Sequence, residues 1–374
     1  MGQATVVRGR KVRYAVVGVG WIAQTAFLPG VRHTGNSEVV ALVTGHEEKA
    51  QKVGEMYDIA AVYAYEAFDE LLRSGTIDAV YLALPNFDHV ELAVKTLDAG
   101  VHLLLEKPMA VSVAQCERMI AASERSGAKL MVAYRLHHEP GMLAALDTVR
   151  SGRLGQLRYF NSSFSQPVSG QNHRAKSGYW AGPVPDMGPY PINTVRNLFG
   201  AEPIEVFATG VCTDPTRFTM DDTVVVTLKF PGARVATMAL SYNAQDLDDF
   251  RVVGNLGDLF SQPAFGVGSQ MKHIVTVDDQ ERTEETFPKT DHFGGELKYF
   301  SNCILNDREP EANGEEGMLD VRILEAVQRA LESGLPQELL PYTRRRRPVS
   351  RQVEMLDATR EPELVGVHKP SDGQ

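Results

Sequence analysis

The stretch VRYAVVGVGWIA, residues 12–23, decides the fold of the first part of the chain. Val12–Val17 is apolar and rich in β-branched residues, as expected of a buried strand, and it runs directly into Gly18-Val19-Gly20-Trp21-Ile22-Ala23. In a G-x-G-x-x-G/A turn the first glycine permits the tight turn, the second lets the backbone approach a pyrophosphate, and the small third residue lets a helix pack on the strand. The N-terminus of that helix attracts phosphate charge. The residues predicted to contact a dinucleotide here are Gly18, Gly20, Trp21 and Ile22, with a purely structural glycine turn as the alternative.

Four more apolar runs follow, each separated from the next by a stretch with helical character. They are Val39–Thr44, Ala79–Leu84, Val101–Leu105 and Lys129–Ala133. Asp88 and Ser112 are placed to cap two of the intervening helices, which should end near Gly100 and Gly127. Strands that alternate with helices predict right-handed βαβ units and an α/β fold with a parallel, doubly wound sheet.

The pattern changes after Tyr134. A helix is expected at Met142–Ser151, and short runs with strand character then follow one another, which favours a mainly antiparallel sheet. The runs are Leu157–Phe164, Ile204–Thr213, Thr223–Phe230, Val235–Tyr242 and Phe250–Gly254. Turns are predicted at residues 230–233 and 255–257, and helices at about Glu296–Asn306 and Gly317–Ser333.

We therefore predict three segments. Residues 1–134 form a dinucleotide-binding domain, and residues 135–343 form an α+β domain with an open sheet for substrate binding and oligomerisation. Residues 344–374, rich in arginine and proline, form a C-terminal tail.

Composition limits the function classes. Hydrophobic residues make up 43% and charged residues 23%, as in an ordinary globular protein. The formal net charge of −10 argues against a general binder of nucleic acid or of anionic membranes. No apolar run reaches the roughly 18 residues that a membrane span needs.

The cysteines and the N-terminus bear on location. Cys116, Cys212 and Cys303 are far apart and odd in number, so neither a disulfide framework nor a zinc site is expected. Met1–Arg13 lacks the apolar segment of a secretory signal. We therefore expect a cytoplasmic protein.

The residues after the second predicted strand bear on which dinucleotide binds. NAD enzymes place an Asp or Glu there for the ribose 2′-hydroxyl, but this sequence reads Thr44-Gly45-His46-Glu47-Glu48-Lys49. A hydroxyl, backbone N–H groups and Lys49 one turn later could hold a 2′-phosphate instead. We predict NADP over NAD, bound by Thr44, Gly45, His46 and Lys49. In the alternative, Lys49 is a solvated helix charge, and Glu47 or Glu48 serves the ribose.

Two more motifs follow strands and so lie at the carboxyl edge of the predicted sheet, where ligands bind in such folds. The first offers the cofactor Leu84, Pro85, Asn86 and His89, although His89 could equally make a local bond in a helix first turn. The second is Glu106-Lys107-Pro108. A lysine there can donate to a substrate oxygen and lower the pKa of a neighbouring base, with a surface lysine at a turn as the alternative.

The ordered set of motifs resembles the Gfo/Idh/MocA oxidoreductase family over nearly the whole chain, and its glucose–fructose oxidoreductases most. Further stretches that look like theirs are Thr44-Gly45-x-x-x-Lys49, Glu106-Lys107-Pro108-Met109-Ala110, Tyr134-Arg135-x-His137-x-Glu139-Pro140, Gly200-x-Glu202-Pro203 and Gly314-Glu315-Glu316-Gly317-Met318-x-Asp320-Val321-Arg322. The resemblance implies a Rossmann domain, a second domain with an open sheet, and NADP-dependent hydride transfer to or from a sugar or polyol. It also implies a homodimer or homotetramer. Glu106 and Lys107 would then lie at the cofactor.

In this family a D-x-x-x-H or D-x-x-x-Y element completes the site, and Asp186-Met187-Gly188-Pro189-Tyr190 supplies the tyrosine version. A spacing of four brings both side chains to one face if a helical turn starts there, and an N-cap role for Asp186 is the alternative. The resemblance implies that Tyr190 removes a proton from a sugar hydroxyl and that Lys107 supplies positive charge. Asp186 would orient the hydroxyl or the lysine. The catalytic candidates are thus Lys107, Asp186 and Tyr190, and all three would also contact substrate.

For several residues the sequence supports two different roles about equally. Arg135 and Arg174 could contact cofactor or substrate, with surface ion pairing as the alternative. Tyr179 and Trp180 could wall the substrate pocket or pack in a core. For the basic run Arg344–Arg347 a solvated tail or ion pairs between subunits are favoured over nucleic-acid binding. No metal site is predicted.

Two other functions stay open. One is an inositol- or dihydrodiol-type dehydrogenase. The other is a cofactor-sensing regulatory protein without catalysis, which should lack either Lys107 or the element that joins Asp186 and Tyr190.

Overall fold

A computed structural model describes residues 9–278 and 281–372. Residues 1–8 lie outside the described residues, and the expectation about a secretory signal rests largely on them. Contacts between Cα atoms divide the chain into two units. Unit 1 comprises the described residues up to His138 together with Thr290–Met318 and Val353–Lys369. Unit 2 comprises Glu139–Lys289, Leu319–Gln352 and the described residues from Pro370 onward.

Unit 1 contains a sheet of six strands in the order β3-β2-β1-β4-β5-β6, with every neighbouring pair parallel. The strands are β1 (Val12–Val17), β2 (Ser37–Val43), β3 (Ala61–Tyr63), β4 (Ala79–Leu82), β5 (His102–Glu106) and β6 (Leu130–Ala133). This is the strand order of the dinucleotide-binding Rossmann fold, which reverses direction between β1 and β4. The predicted doubly wound parallel sheet is confirmed. The prediction missed only β3, which has three residues and no clear period.

Helices alternate with these strands. They are α1 (Leu28–Thr34), α2 (Glu47–Tyr57), α3 (Phe68–Arg73), α4 (His89–Asp98) and α5 (Val113–Ser126). Ser112 caps α5 by accepting a hydrogen bond from the Gln115 N–H at 3.2 Å, and Gly127 ends it with a φ of 73°, both as predicted. Asp88 holds the N-cap position of α4, as predicted, but the capping bond expected of its side chain is absent. Asp88 already lies in a short 3-10 turn, so its backbone is not extended and its side chain makes no capping bond.

Unit 2 contains a sheet of nine strands in the order β14-β13-β12-β11-β7-β10-β9-β8-β15. The strands are β7 (Leu157–Ser165), β8 (Glu205–Val211), β9 (Thr223–Phe230), β10 (Arg234–Ser241), β11 (Leu247–Gly254), β12 (Gly257–Ser261), β13 (Lys272–Val277), β14 (Glu281–Thr286) and β15 (Gln337–Glu338). All neighbours are antiparallel except β7 and β10. The mainly antiparallel sheet and both predicted turns are confirmed. The prediction missed β12–β15, of which β14 has no apolar residue and β15 has only two residues.

The remaining helices are α6 (Pro140–Arg150), α7 (Pro183–Met187), α8 (Pro189–Phe199), α9 (His292–Leu305) and α10 (Gly314–Ser333). Helix α9 and the start of α10 belong to unit 1, although they come late in the chain. The domain boundaries predicted from the sequence stay predictions, because they were drawn by function whereas these units are defined by contacts.

Side chains alternate between the two faces of the nine-stranded sheet. On β10 the side chains of Ala236, Met238 and Leu240 are buried, whereas Val235, which precedes the buried Ala236, is 38% exposed. Val235 pairs with the exposed Tyr159 of β7. One face of the sheet therefore lies in the core, and the other presents apolar side chains outward.

Candidate active site

The glycine turn in unit 1 brings two of the sequence motifs together. Gly18 has a φ of 90°, and a Cβ there would lie 2.5 Å from the Ala83 carbonyl oxygen and 2.8 Å from Leu84 Cδ2. Only glycine permits this approach between the end of β1 and the loop after β4. A short π-helical segment, Ala23–Phe27, follows the turn and continues into α1. At Gly20 a Cβ would meet nothing within 4 Å, so the start of this helical segment faces open space.

The donors around this open space suit a pyrophosphate. The Gln24 N–H makes a helical bond to the Gly20 carbonyl at 3.1 Å, and the N–H groups of a helix's first turn have no helical acceptor. The indole nitrogen of the half-buried Trp21 is shielded from solvent and has no hydrogen-bond partner among the described residues. Ile22 beside it is half-buried. A dinucleotide therefore fits the turn on both space and donors.

The loop after β2 has the features expected of a 2′-phosphate site. Thr44 is 5% exposed, and its Oγ1 accepts a hydrogen bond from the His46 N–H at 3.3 Å. His46 stands at the N-cap of α2 without a side-chain cap bond, so the first N–H groups of α2 are open to an anion. Burial lowers the pKa of Lys49, which is half-buried one turn later. Gly45 is exposed between them, and position 44 carries no carboxylate.

His89 links two loops at the carboxyl edge of the parallel sheet. It is 1% exposed, and its Nε2 lies 2.9 Å from the Leu84 carbonyl oxygen while its Nδ1 lies 3.2 Å from that of Met109. Burial lowers its pKa, which favours a neutral ring with one N–H donor. The structure thus supports a role in positioning the half-buried residues Leu84, Pro85 and Asn86. Direct contact between His89 and a cofactor stays a prediction.

The Glu-Lys-Pro motif begins where β5 ends. The Tyr81 hydroxyl donates a hydrogen bond to Glu106 Oε1 at 2.6 Å. Burial raises the pKa of Glu106, although Tyr81, Lys107 and Arg135 oppose that rise. Lys107 is half-buried and follows directly, at the carboxyl edge that the sequence predicted.

Arg135 is an internal residue of unit 1. It is 3% exposed, its Nη1 lies 3.3 Å from His292 Nδ1, and its guanidinium lies 5.7 Å from the centre of the Phe293 ring. This burial excludes the surface ion pair that was the alternative, and cofactor contact stays a prediction. Glu296 of α9, which the sequence reasoning missed, is 2% exposed, and burial with the charge of Glu106 raises its pKa well above the usual range. Nothing in the helical pattern distinguishes Glu296 from a surface glutamate.

In unit 2 the predicted catalytic residues belong to a cluster of four side chains, Arg174, Asp186, Tyr190 and Tyr242. Arg174 Nε lies 3.1 Å from Asp186 Oδ2, and the Tyr242 hydroxyl donates to the same oxygen at 2.9 Å. The Asp186 carboxylate is the main cause of the raised pKa of Arg174, and Tyr190 also contributes. We call these four residues the Arg174 cluster.

The backbone of the cluster differs from the prediction. Asp186 lies in α7 and Tyr190 in α8, with Gly188 between the two helices. The expected start of the helical turn at Asp186 is wrong, because α7 already begins at Pro183, and Pro189 has no N–H to continue the helical bonds of α7. Gly188 nevertheless keeps a right-handed helical backbone, with a φ of −56° and a ψ of −34°, so Asp186 and Tyr190 keep a helical spacing. The N-cap alternative for Asp186 is also wrong, since Gly188 holds the cap position of α8. Tyr190 does lie in the first turn of α8, where the helix dipole favours negative charge.

Aromatic packing fixes the Tyr190 ring. The ring centre lies 5.6 Å from that of Phe164, edge to face, and 6.2 Å from that of Phe265. Burial and the Asp186 carboxylate raise the pKa of Tyr242 well above the usual range, so its hydroxyl stays a donor. Tyr242 was not singled out from the sequence, because it ends an apolar run and looks like a packing residue.

Tyr179 and Trp180 pack against each other in unit 2. Their rings meet edge to face at 5.4 Å, and the Tyr179 hydroxyl donates to the Leu324 carbonyl at 2.7 Å. Tyr179 also lines a cavity of about 300 Å³ in unit 2, together with Val184, Asp221 and Glu332. The substrate role of both aromatic residues stays a prediction.

The basic run Arg344–Arg347 is partly internal. The expectation of a solvated tail is wrong for Arg344, which is 4% exposed, and the expectation of a solvated tail or of ion pairs between subunits is wrong for Arg347. Arg347 Nη2 lies 2.7 Å from Glu202 Oε1. Arg196 Nε and Nη1 each lie 2.5 Å from a carboxylate oxygen, of Glu202 and Asp320 respectively. Because one buried guanidinium cannot balance two carboxylates, Arg347 supplies the second positive charge.

Within the ranges 9–278 and 281–372, no three His, Cys, Asp or Glu side chains are grouped as metal ligands. No helix in the same part of the chain combines the length and hydropathy needed to cross a membrane.

Comparison with known proteins assigns the family. Residues 12–134 match the model described as the oxidoreductase family with NAD-binding Rossmann fold, and residues 142–260 match the GFO/IDH/MocA C-terminal domain. The NADP(+) D-xylose 1-dehydrogenase of Haloarcula marismortui is 31% identical over 86% of this chain and 91% of its own. A second NADP(+) D-xylose 1-dehydrogenase, from Haloferax volcanii, is 27% identical over 87% of this chain and 99% of its own.

A solved structure agrees with this assignment. The aldose–aldose oxidoreductase of Caulobacter crescentus, complexed with glycerol, superposes with a TM-score of 0.83 at 32% identity. The match covers 88% of this chain and 100% of that one. With a Rossmann sheet, an open nine-stranded sheet and relatives that match along most of its length, the chain belongs to the Gfo/Idh/MocA oxidoreductase family.

Proposed function

We propose that this chain is an NADP-dependent oxidoreductase that transfers hydride between a sugar or polyol and nicotinamide. The observation that carries the proposal is the Arg174 cluster, which holds Tyr190 at the start of α8 beside a fixed carboxylate and a guanidinium. The relatives that act on D-xylose with NADP(+), and the one that acts on aldoses, support the same substrate class.

Unit 1 would hold the cofactor through backbone donors at Gly18–Ala23 and through Thr44, His46 and Lys49 at the 2′-phosphate. Leu84, Pro85, Asn86, Glu106 and Arg135 would complete the site, as the family resemblance implies. When bound, NADP supplies the carbon that accepts or donates the hydride. Residues 1–134 would accordingly serve the cofactor, and residues 135–343 the sugar and subunit contacts.

The protein groups would carry the proton. Tyr190 accepts the proton of the sugar hydroxyl in oxidation and returns it in reduction. Asp186, fixed by Arg174 and Tyr242, is an acceptor that can orient a second sugar hydroxyl. The guanidinium of Arg174 offsets negative charge that develops on the Tyr190 oxygen, and Lys107 would add positive charge at the carbon that reacts.

The test is to purify the protein without added cofactor, record its absorbance for retained NADP(H), and then add single compounds. Reduction of NADP by aldoses such as D-xylose or D-glucose is the expected result. Activity confined to inositols or to a trans-dihydrodiol would instead establish the rival dehydrogenase. A protein that binds NADP but oxidises none of these compounds would support the regulatory alternative.

The Lys49→Met variant should lose its preference for NADP. A charged hydrogen bond to phosphate is worth about 1.5–3 kcal/mol, so NADP affinity should fall roughly 10- to 100-fold while NAD affinity is unchanged. Titration of both cofactors against protein fluorescence measures the ratio. Lys52→Met, at an exposed position of the same helix, is the control. Equal losses for NADP and NAD in Lys49→Met would contradict the assignment.

We also propose that the chain forms a homodimer or homotetramer through the outer face of the nine-stranded sheet. Tyr159, Phe207, Val225 and Val235 are each about two-fifths exposed on neighbouring strands, an apolar surface that association would cover. Light scattering should give a mass two or four times the 41.2 kDa of the chain. A monomer at micromolar concentration would contradict this.

A cytoplasmic location is our proposal from cysteine chemistry. Cys212 is exposed, Cys303 is buried, and both are free thiols, which suits a reducing compartment. Fractionation of the source cells, followed with an antibody against the chain, tests the location.

A further inference from the structure

The segment Val353–Lys369 packs on unit 1, far in sequence from the residues that it contacts. It first runs along α9, where Lys298 Nζ lies 2.9 Å from Glu354 Oε2 and the Asp291 N–H donates to the Leu356 carbonyl at 3.0 Å. These contacts anchor the start of the segment. The next contacts lie at the glycine turn.

At the glycine turn, the Gln24 side chain binds the segment through both ends of its amide. Its Nε2 donates to the Val365 carbonyl at 3.0 Å, and its Oε1 accepts from the Val365 N–H at 2.7 Å. Nε2 also lies 3.2 Å from the carbonyl oxygen of Val19, inside the G-x-G-x-x-A pattern. Gln24 is 1% exposed, so these hydrogen bonds are shielded from water. Gln24 therefore connects Val365 to the turn predicted to bind pyrophosphate.

The next residue of the segment lies against Lys49. Gly366 has a φ of 58°, and a Cβ built on it would lie 3.5 Å from Lys49 Cδ and 3.9 Å from Lys49 Cγ. The positive φ favours glycine here, and the two distances place residue 366 within ordinary contact range of the aliphatic part of the lysine side chain. The segment thus meets two separate parts of the predicted cofactor site, the glycine turn and the 2′-phosphate loop.

We propose that residues 363–368, which we name the cofactor strap, are a component of the cofactor site that secures its adenosine 2′-phosphate end. The strap holds the glycine turn through Gln24 and restricts the Lys49 side chain through Gly366. Both effects reduce the conformational freedom that the site would lose on binding a 2′-phosphate. This inference rests on the proposed function, because it takes NADP as the ligand.

Two variants test the strap by different routes. Gln24→Leu removes both side-chain hydrogen bonds to Val365, because it replaces the amide by an apolar side chain of similar size. Gly366→Val places a β-branched residue at a positive φ beside Lys49, which should move the strap off the lysine. The controls are Gln51→Leu, an exposed residue of α2, and Gly75→Val, with a φ of 68° and nothing within 4 Å of its Cβ position.

The probes are 2′,5′-ADP, which carries the 2′-phosphate, and 5′-AMP, which lacks it. Calorimetric titration should show roughly tenfold weaker binding of 2′,5′-ADP to Gln24→Leu and to Gly366→Val, with a smaller loss for 5′-AMP. Both controls should match the wild type. Melting temperatures identify a variant that fails to fold, and the other variant then decides the outcome.

Limited proteolysis supplies a readout that does not depend on substituting the strap. Arg360 is an exposed trypsin site three residues before it. Saturating 2′,5′-ADP should slow cleavage after Arg360, and 5′-AMP should slow it less. Different results would contradict the proposed function and the cofactor strap. If the wild type binds none of these probes and no NADP, the proposed function is wrong. The strap proposal is wrong if the wild type binds 2′,5′-ADP but the two strap variants bind it as tightly as the control variants do, and if 2′,5′-ADP protects against trypsin no more than 5′-AMP does.

Discussion

The Tyr190→Phe variant should lose roughly 10²- to 10⁴-fold in turnover, the contribution that a positioned acid or base typically makes. The phenolic oxygen is the atom we assign to accept the sugar proton, and phenylalanine removes only that atom. The ring should keep its edge-to-face packing on Phe164 and its contact with Phe265. The fold and cofactor affinity should therefore persist. Steady-state kinetics with the best aldose, together with NADP titration, measure both quantities.

Tyr57→Phe is the matched control, because Tyr57 lies outside the Arg174 cluster and its ring interacts with Arg32 rather than with any catalytic candidate. It should retain wild-type turnover. Turnover of Tyr190→Phe close to that of Tyr57→Phe would rule out Tyr190 as the proton acceptor. A loss of NADP binding as large as the loss of turnover would instead indicate a structural role.

The Arg196→Met variant should lose about 3–5 kcal/mol of unfolding free energy, the usual cost of removing one partner of a buried ion pair. Arg196 and Asp320 are both 0% exposed, and Glu202 is 4% exposed. Methionine keeps much of the volume but removes the guanidinium that lies against both Asp320 and Glu202, so two buried carboxylates lose a charged partner. Urea denaturation followed by circular dichroism measures the change in midpoint.

The control for this prediction is Arg329→Met. Arg329 is half exposed and lies 3.8 Å from Glu325 one helical turn away, so its removal should cost less than about 0.5 kcal/mol. If the two variants unfold at the same urea concentration, the buried network does not stabilise unit 2. We would then revise the explanation of why Arg347 is internal.

Much of unit 1 could be predicted because its signals are local. A β-branched run followed by Gly18 and Gly20 specifies a strand, a tight turn and a helix within a dozen residues, and Ser112 and Gly127 mark the ends of α5 by backbone chemistry alone. The absence of an acid at Thr44 is also readable without a structure. For unit 2 the sequence predicted a mainly antiparallel sheet, but it did not predict the strands β12–β15.

The sequence identified the main residues of the candidate site, but it did not identify the side chains that contact them. The motif identified Asp186 and Tyr190, but the sequence did not predict that a helix begins at Pro183 or that Pro189 interrupts its hydrogen bonds between the two residues. Tyr242 and Glu296 gave no signal, since a buried tyrosine or glutamate in a periodic pattern looks like any core or surface residue.

The sequence by itself determined the Rossmann sheet, the open sheet and the residues that could carry the chemistry, because backbone conformation and hydrophobic period are encoded by neighbours in the chain. Only the tertiary structure decided what fixes those residues. Gln24 and Val365 are 341 positions apart, and Asp186 and Tyr242 are 56 apart. Such pairs form because burial removes water from a polar group, which then needs a protein partner. Which segment supplies that partner depends on the packing of the whole chain.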